Sequence, residues 1–387
     1  MARQPGRILI AGVSARAFAE SAACAGFGCR AVDAFGDLDL KSRLASIGLR
    51  RDLGLRYSAT AAATVARGLE AAAVAYVANF ENHPSAVRRL AAGRRLLGNA
   101  PGVLARARDP RAFAKIVRDA GERMPRTLGP GELGRLDPDA AWLVKPARGG
   151  GGSGVRPWRA GDAVAGHELL QERVRGTPAS VVFLADGRHA QVIGMSEQLA
   201  DQGRFGAPGF RYCGSMYPLE SPARRSAAAL AEALTAALRL KGVNGIDFVL
   251  DDEGGIVVLE LNPRYPASVE LVERATGLSV FAAHLAACEG ELVPAPAPPA
   301  GTWGKAIVYA RRDVVLGNTR AWLDRSDIRD VPFPGERIRA GAPVCSIFAR
   351  GADAADCGAR LESLAREVES VLEPVARAAL PALEPLG

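Results

Sequence analysis

Apolar and polar positions along the chain predict a β-hairpin between residues 245 and 262. Two apolar, β-branched runs, Gly245–Leu250 and Ile256–Leu261, flank a short polar stretch. That composition is typical of two strands joined by a tight turn, which we expect to centre on Glu253 and Gly254. Acidic residues interrupt both runs, so the hairpin should carry one polar face.

The predicted turn brings two carboxylates together. Asp247 lies opposite Glu260 in this register, and directly opposed Cβ atoms of an antiparallel pair are roughly 5 Å apart. Alternation along the strand carries Asn262 and Arg264 onto the face of Glu260. Close carboxylates repel each other unless a cation lies between them, and oxygen ligands of this kind suit Mg²⁺ bound to phosphates. An exposed hairpin with ordinary surface charges is the alternative.

A second segment, 142–155, predicts a strand that ends in lysine and runs into a loop made almost entirely of glycine. Because glycine lacks Cβ, the N–H groups of such a loop can approach a polyphosphate closely, and Lys145 would add a fixed positive charge. No Gly-Lys-Ser/Thr follows the glycines, so the segment is not a P-loop. Taken alone, the loop also fits a flexible linker, but its position directly after Val144-Lys145-Pro146 favours phosphate binding.

The remaining chain predicts a multidomain protein of mixed α/β and α+β class. The first hundred residues alternate strand and helix patterns, beginning with a strand at 7–11 and a glycine turn at Gly12. Dense proline at 294–300 favours extended backbone and predicts a linker. We expect units at 1–105, 106–293 and 294–387, a glycine-loop subdomain at about 125–175, and a final helix near 355–372.

Composition is that of an ordinary soluble chain. The 387 residues are 48% hydrophobic, and no uninterrupted apolar run approaches the ~18 residues of a membrane span. The chain shows no signal-peptide pattern and its six cysteines form no C-x-x-C pair, so we expect a cytoplasmic protein with reduced thiols. The net charge of +7 comes without a nucleic-acid fold pattern, so neither nucleic acid nor membrane is an expected partner.

These segments, taken in order, resemble the ATP-grasp superfamily, with its lysine strand, mobile glycine loop, adenine-binding hinge and carboxylate hairpin. Residues 170–176 resemble the hinge, and Asn262-Pro263-Arg264 after Glu260 is the most specific match. Four elements in the right order between residues 108 and 278 indicate the family more strongly than any single motif. The resemblance implies a Rossmann-like N-terminal pre-ATP-grasp domain, a central ATP-grasp fold and a small β-rich C-terminal domain.

Residue roles are implied by the same resemblance. It implies ATP and Mg²⁺ as cofactors, with two metal ions, and with Mn²⁺ as an alternative metal. The metal ligands would be Asp247, Glu260 and Asn262, and the catalytic cations would be Lys145 and Arg264. The nucleotide would be bound by a larger set of residues, namely Lys115, Lys145, Gly150, Gly151, Gly152, Ser153, Gln171, Glu172 and Val174.

Two positions depart from the family pattern. Thr177-Pro178-Ala179-Ser180 follows Gly176, without the acidic residue that binds ribose in many members, so ribose recognition stays unassigned. The first basic contact to ATP falls on Arg111 or Lys115. We favour Lys115, although a solvated helical lysine is an equal alternative.

The implied reaction activates a carboxylate as an acyl phosphate, which an amine then attacks with release of phosphate. The partners are therefore a small-molecule carboxylate and amine, and a homodimer is left open. Strings such as F-E-N-H-P are similar to predicted ATP-grasp carboligases associated with tetrahydromethanopterin and methanofuran biosynthesis, which implies one-carbon metabolism. The alternatives are a carboxyphosphate-forming carboxylase of the purine-pathway type and a non-catalytic ATP-binding regulatory protein.

A glycine-rich segment, 203–214, lies between the hinge and the hairpin. Loops on a rigid scaffold often supply recognition residues, and the arginine fork matches a carboxylate or an acyl phosphate. We therefore expect Arg211 to contact the acid substrate, with a solvated loop arginine as an equal alternative.

Overall fold

The computed structural model describes residues 6–200 and 203–374 of the chain. This part has a parallel sheet in its N-terminal unit and antiparallel sheets in the rest, so the predicted mixed, multidomain class is confirmed. No helix in the described ranges is long and apolar enough to cross a membrane. The six cysteines all lie within these ranges, and Cys24, Cys29, Cys288, Cys345 and Cys357 are free thiols.

The N-terminal unit alternates strands and helices, as its sequence pattern predicts. Its strands pair in parallel in the spatial order third, second, first, fourth, fifth. Connections leave the first strand toward both sides of the sheet, and folds of this kind bind ligands beside the carboxyl ends of the strands at that point. The elements are β1 (Ile8–Ala11), α1 (Arg16–Cys24), β2 (Cys29–Asp33), α2 (Leu38–Arg43), β3 (Ala45–Gly48), α3 (Leu49–Leu53), α4 (Ala59–Arg67), β4 (Ala73–Tyr76), α5 (Pro84–Leu90) and β5 (Arg95–Leu97).

Two helices, α6 (Pro101–Ala107) and α7 (Pro110–Asp119), connect this unit to the central one. Proline begins each helix, where its missing N–H leaves no hydrogen bond unmade. The Asp109 carboxylate caps α7 by accepting from two backbone N–H groups. Phe113 and Val117 bury one face of α7, which leaves its charged face in solvent.

The glycine loop projects from a small antiparallel sheet. Its strands are β6 (Thr127–Leu128), β7 (Trp142–Pro146), β8 (Arg156–Pro157) and β9 (Glu168–Glu172), in the order β6-β9-β7-β8. Trp142 and Val144 point into the core of this subdomain, so the alternate residues of β7, including Lys145, point to the other side.

A larger antiparallel sheet carries the hairpin and continues into the C-terminal unit. The central elements are β10 (Thr177–Asp186), β11 (Ala190–Ala200), β12 (Tyr212–Tyr217), α8 (Arg224–Leu238), β13 (Lys241–Leu250), β14 (Ile256–Asn262), α9 (Val269–Thr276) and α10 (Val280–Glu289). After the proline-rich stretch come β15 (Thr302–Tyr309), β16 (Val314–Leu316), β17 (Ile328–Arg329), β18 (Arg337–Ile338), β19 (Pro343–Gly351), α11 (Ala354–Ser370) and β20 (Leu372–Pro374). The eight-stranded order is β14-β13-β10-β11-β12-β15-β19-β17, and β18-β16-β20 form a separate small sheet.

The predicted hairpin forms β13 and β14, and Asp247 pairs with Glu260 as expected. The position of the turn, however, differs from the prediction, and a β-bulge compensates for the difference. Beside the turn Leu250 pairs with Ile256, so the turn centres on Glu253 alone. A β-bulge next to Asp247 then adds one residue to β14 and restores the pairing of the two carboxylates.

A buried arginine joins the three units. The Arg16 side chain is 1% exposed and donates to Asp330 at 2.7 Å and to Glu270 at 2.9 Å. Glu270 also accepts from Lys305 Nζ at 2.8 Å. Buried charges are tolerated when they are paired and hydrogen-bonded in this way, so these contacts fix how α1, α9 and the C-terminal unit pack together.

Candidate functional site

A cleft of about 730 Å³ lies between the glycine-loop subdomain and the large sheet. It is lined by residues that are distant in sequence and come from β7, the glycine loop, β9, the segment after it, and the hairpin. The predicted site residues that line it are Lys145, Gly150, Gly151, Gly152, Ser153, Gln171, Glu172, Val174, Asp247, Glu260, Asn262 and Arg264.

The two hairpin carboxylates differ electrostatically. Asp247 accepts from Asn262 Nδ2 and from Gln198 Nε2, each at 2.8 Å. Burial and the neighbouring charge of Glu260 raise the pKa of Asp247 to about 7. Burial alone would raise the pKa of Glu260 as well, but the charges of Lys145, Arg108 and Arg264 outweigh burial and lower it.

Lys145 faces the hairpin from the opposite wall of the cleft. Its Nζ atom is 3.9 Å from Glu260 Oε2, and both side chains are partly exposed to the cleft. The lysine is the next-to-last residue of β7, and alternation along the strand directs it away from the subdomain core. A fixed ammonium therefore stands beside the carboxylates, where a polyphosphate would also need positive charge.

Arg264 is held by three separate acceptors. Its Nε donates to Glu81 at 2.9 Å, its Nη2 to Asn262 Oδ1 at 2.9 Å, and its Nη1 to the Tyr265 carbonyl oxygen at 3.2 Å. These bonds set the guanidinium plane in a side chain that lines the cleft and is 11% exposed. Glu81 comes from the N-terminal unit, so this side chain links that unit to the hairpin.

The donor set at the hairpin fits a hard divalent cation. Asp247, Glu260 and Asn262 offer carboxylate and carboxamide oxygens, which Mg²⁺ prefers. The raised pKa of Asp247 shows that burial and the second carboxylate disfavour two negative charges side by side, and a bound cation would relieve that cost.

Gln171 and Glu172 lie at the end of β9, in the predicted adenine hinge. The Gln171 amide donates to Thr127 Oγ1 at 3.3 Å, and Glu172 accepts from the Arg126 N–H at the same distance. Both contacts join β9 to its neighbour β6 or to the residue before it, so this wall of the cleft is part of the glycine-loop subdomain.

The glycine loop docks against the segment that precedes β12. The Gly151 carbonyl oxygen accepts from the Tyr212 N–H at 3.0 Å. A Cβ atom added at Gly152 would collide with the Phe210 carbonyl oxygen, and the φ of Gly152 is +69°. A Cβ atom at Gly150 would meet nothing within 4 Å. Gly152 is therefore the position where close approach and a left-handed backbone both require glycine.

Two predicted contacts are corrected by the structure. Lys115 lies on the solvent face of α7, pairs with Asp119 and has a side chain that is 70% exposed, so it is not brought to the cleft. Arg211 lies just before β12 and does not line the cleft, although its neighbours Phe210 and Tyr212 do; its side chain is directed toward the C-terminal unit.

There the Arg211 guanidinium donates to the Gly341 carbonyl oxygen and lies 5.5 Å from the centroid of the Tyr309 ring. Arg111, the alternative to Lys115, is exposed at the start of α7 and does not line the cleft either.

Three contributors were missed by sequence reasoning. Gln198 reaches Asp247 across β10, which depends on sheet order that local pattern does not show. Glu81 lies in the F-E-N-H-P string, which was matched to a group of carboligases without a role for any of its residues. Arg108 immediately precedes the α7 cap and lowers the pKa of Glu260.

Comparison with known proteins agrees with this geometry. Residues 107–268 match the family model described as an ATP-grasp domain. The chain contains an ATP-grasp domain. An uncharacterized protein of Methanocaldococcus jannaschii is 22% identical over 182 residues, which cover 47% of this chain and 42% of that relative. The matched region therefore spans less than half of the relative's length.

Solved structures resemble nearly the whole chain around the ATP-grasp domain. The biotin carboxylase of Campylobacter jejuni superposes with a TM-score of 0.71 at 15% identity, over 95% of this chain and 91% of that one. The L-amino acid ligase of Bacillus licheniformis gives 0.66 at 16% identity, over 97% and 100%. At such identities the likeness is one of fold, and it extends to the N- and C-terminal units.

Proposed function

We propose that this protein is an ATP-dependent carboxylate–amine ligase that acts through an acyl phosphate. The observation that carries the proposal is the convergence of Lys145, Glu260 and Arg264 on one cleft beneath a docked glycine loop. Phosphoryl transfer needs positioned positive charge around the moving group more than it needs a protein nucleophile. The cleft offers positive charge from two opposite walls.

In this proposal, Asp247, Glu260 and Asn262 hold two Mg²⁺ ions, for which Mn²⁺ could substitute, and residues 150–153 cover the nucleotide phosphates. Bound Mg²⁺–ATP would supply the γ-phosphoryl group and neutralise part of its charge. Gln171, Glu172 and the backbone at Val174 would contact adenine. Ribose recognition has no assigned residue.

The chain's own residues would act by orientation and by exclusion of water. Lys145 and Arg264 would stabilise negative charge on the γ-phosphoryl oxygens while a carboxylate oxygen of the acid attacks the phosphorus and the bond to ADP breaks. The docked glycine loop would keep water from the acyl phosphate until the amine attacks its carbonyl carbon and inorganic phosphate leaves.

The substrate class is proposed from sequence resemblance. The N-terminal strings similar to carboligases of tetrahydromethanopterin and methanofuran biosynthesis support amide formation in one-carbon cofactor synthesis, with a small carboxylate and a small amine as partners. A cytoplasmic location and a homodimer are part of this proposal. The use of ATP and the free thiols of Cys24, Cys29, Cys288, Cys345 and Cys357 suit that compartment.

A second candidate is a carboxyphosphate-forming carboxylase, in which bicarbonate takes the place of the acid. The fold likeness to a biotin carboxylase over 95% of this chain favours it. The two candidates share the same ATP chemistry and differ in the acid that accepts the phosphoryl group.

One screen tests the proposal. The purified protein is incubated with Mg²⁺, ATP and a panel of carboxylate and amine pairs, and ADP release is measured, with bicarbonate as one of the acids. We expect ADP release that needs both an organic acid and an amine. Release with bicarbonate alone would favour the carboxylase, and binding of ATP without release under any pair would contradict both enzymes.

A further inference from the structure

Glu81 connects the N-terminal unit to the hairpin end of the cleft. It follows β4 at the carboxyl edge of the parallel sheet, and its side chain is 2% exposed. Its Oε1 atom accepts from Arg264 Nε at 2.9 Å. A carboxylate this deeply buried needs a hydrogen-bonded partner of opposite charge, and Arg264 provides one.

Glu81 helps to set which N–H groups of Arg264 face the cleft. An arginine side chain has five N–H donors in a rigid fork. Three of them are used among the described residues, by Glu81, Asn262 and the Tyr265 carbonyl oxygen. One N–H group on each terminal nitrogen is then left for a ligand, in a side chain that lines the cleft.

A second arginine approaches the same carboxylate. Arg108 Nη2 is 3.6 Å from Glu81 Oε1, while the buried Arg108 Nε and Glu81 Oε2 have no hydrogen-bond partner within the described ranges. A hydrogen bond between those two atoms would satisfy both and complete a two-bond fork between the side chains. Glu81 thus stands between two arginines whose charges both act on Glu260.

We infer that Glu81 is a positioning residue for the phosphate chemistry: it orients Arg264, and holds Arg108 beside it, toward the γ-phosphate of bound ATP. The inference rests on the proposed ATP site. It assigns the N-terminal unit a part in phosphoryl transfer, because the carboxylate that sets the guanidinium plane belongs to that unit.

The test compares two nucleotides that differ in the γ-phosphate. Calorimetry measures Mg²⁺-dependent binding of ADP and of a non-hydrolysable ATP analogue to the wild type and to Glu81→Gln, which keeps the side-chain shape and removes its charge. We expect the dissociation constant of the analogue to rise roughly tenfold, as for loss of a group that orients a ligand-binding residue, and that of ADP to stay unchanged. Glu81→Asp, which keeps the charge, should recover part of the loss.

Glu289→Gln is the matched control. Glu289 also pairs with an arginine, Arg95, at 2.8 Å, but on the surface outside the cleft. This variant should bind both nucleotides like the wild type. Arg264→Lys completes a double-mutant cycle, and its effect on analogue binding should be smaller in the Glu81→Gln background, because the effect of Glu81 passes through Arg264.

Three results would overturn the inference: unchanged analogue binding in Glu81→Gln, equal losses for ADP and the analogue, or additive losses in the cycle. If Glu81→Gln does not fold, Glu81→Asp carries the same comparison. The measurement uses neither acid nor amine, so it stands apart from the ligase reaction. Suppose that Glu81→Gln weakens binding of the analogue but not of ADP, and that the wild type never forms an amide. The proposed function would then be refuted, and the inferred role of Glu81 would stand.

Discussion

Replacing Gly152 with alanine should loosen the glycine loop and weaken ATP binding. Gly152 has a φ of +69°, a conformation that residues with a Cβ atom rarely adopt. The new methyl group would also overlap the Phe210 carbonyl oxygen. The loop must then leave the segment before β12, and it gives up the hydrogen bond of 3.0 Å between the Tyr212 N–H and the Gly151 carbonyl oxygen.

The strain of the docked alanine sets the size of the effect, because the undocked loop is free of it. The left-handed conformation costs a residue with Cβ about 1–2 kcal/mol. The overlap with the Phe210 carbonyl oxygen adds to this cost. The strain term alone shifts the docking equilibrium by a factor of roughly 5 to 30. If the docked loop covers the phosphates, the dissociation constant for ATP should rise within that range.

Gly150→Ala is the matched control, because a Cβ atom there meets nothing within 4 Å and Gly150 is not among the glycines with positive φ. Calorimetry gives the dissociation constants, and trypsin gives an independent measure by cleavage after Arg148, which immediately precedes the glycine run. Gly152→Ala should be cleaved faster and bind ATP more weakly than Gly150→Ala. Equal behaviour of the two variants would refute the docking argument.

Four further predictions follow from the cleft. Glu260→Gln should abolish Mg²⁺-dependent turnover with an unchanged circular dichroism spectrum, and retained activity would exclude Glu260 as a metal ligand. Lys145→Ala should raise the dissociation constant for ATP about tenfold, as loss of a charged contact predicts, and an unchanged constant in calorimetry would contradict the role of Lys145 in phosphate binding. Because the pKa of Asp247 is raised to about 7, Mg²⁺ must compete with a proton, so its affinity should fall about tenfold per unit as pH drops below that value; a flat profile would remove Asp247 from the metal site. Arg211→Ala should lower the melting temperature by freeing Gly341 and leave the Michaelis constant for the acid unchanged, whereas a raised constant at an unchanged melting temperature would restore Arg211 to the substrate site.

Local sequence pattern predicted the parts of the site that depend on strand alternation. Asp247, Glu260 and Asn262 converge because β-strand alternation and a short turn determine their faces, and Lys145 points to the cleft for the same reason. The bulge that completes the register was not predictable, since it adds a residue within a run of similar apolar side chains. The pairing of Asp247 with Glu260 was therefore predicted correctly, although the predicted centre of the turn was wrong by half a residue.

Contacts between distant segments account for what sequence reasoning missed. Arg211 is turned aside by a carbonyl group 130 residues away, and Glu81 reaches Arg264 across 183 residues. Lys115 lies on an amphipathic helix whose buried face is clear from Phe113, but a solvent-facing lysine and a phosphate-binding one look alike in a single sequence. The direction of each of these side chains depends on how the units pack together, and the local hydrophobic pattern of the sequence does not show that packing.

The most direct test of the proposed ligase reaction follows one oxygen atom of the acid. A carboxylate oxygen that attacks the γ-phosphorus of ATP stays on that phosphorus when the amine displaces inorganic phosphate. With acid labelled by ¹⁸O in its carboxylate, the account predicts one labelled oxygen in each inorganic phosphate, formed in equal amounts with ADP and amide and measured by mass spectrometry. Amide formed with unlabelled phosphate, or with the label in AMP, would contradict an acyl phosphate.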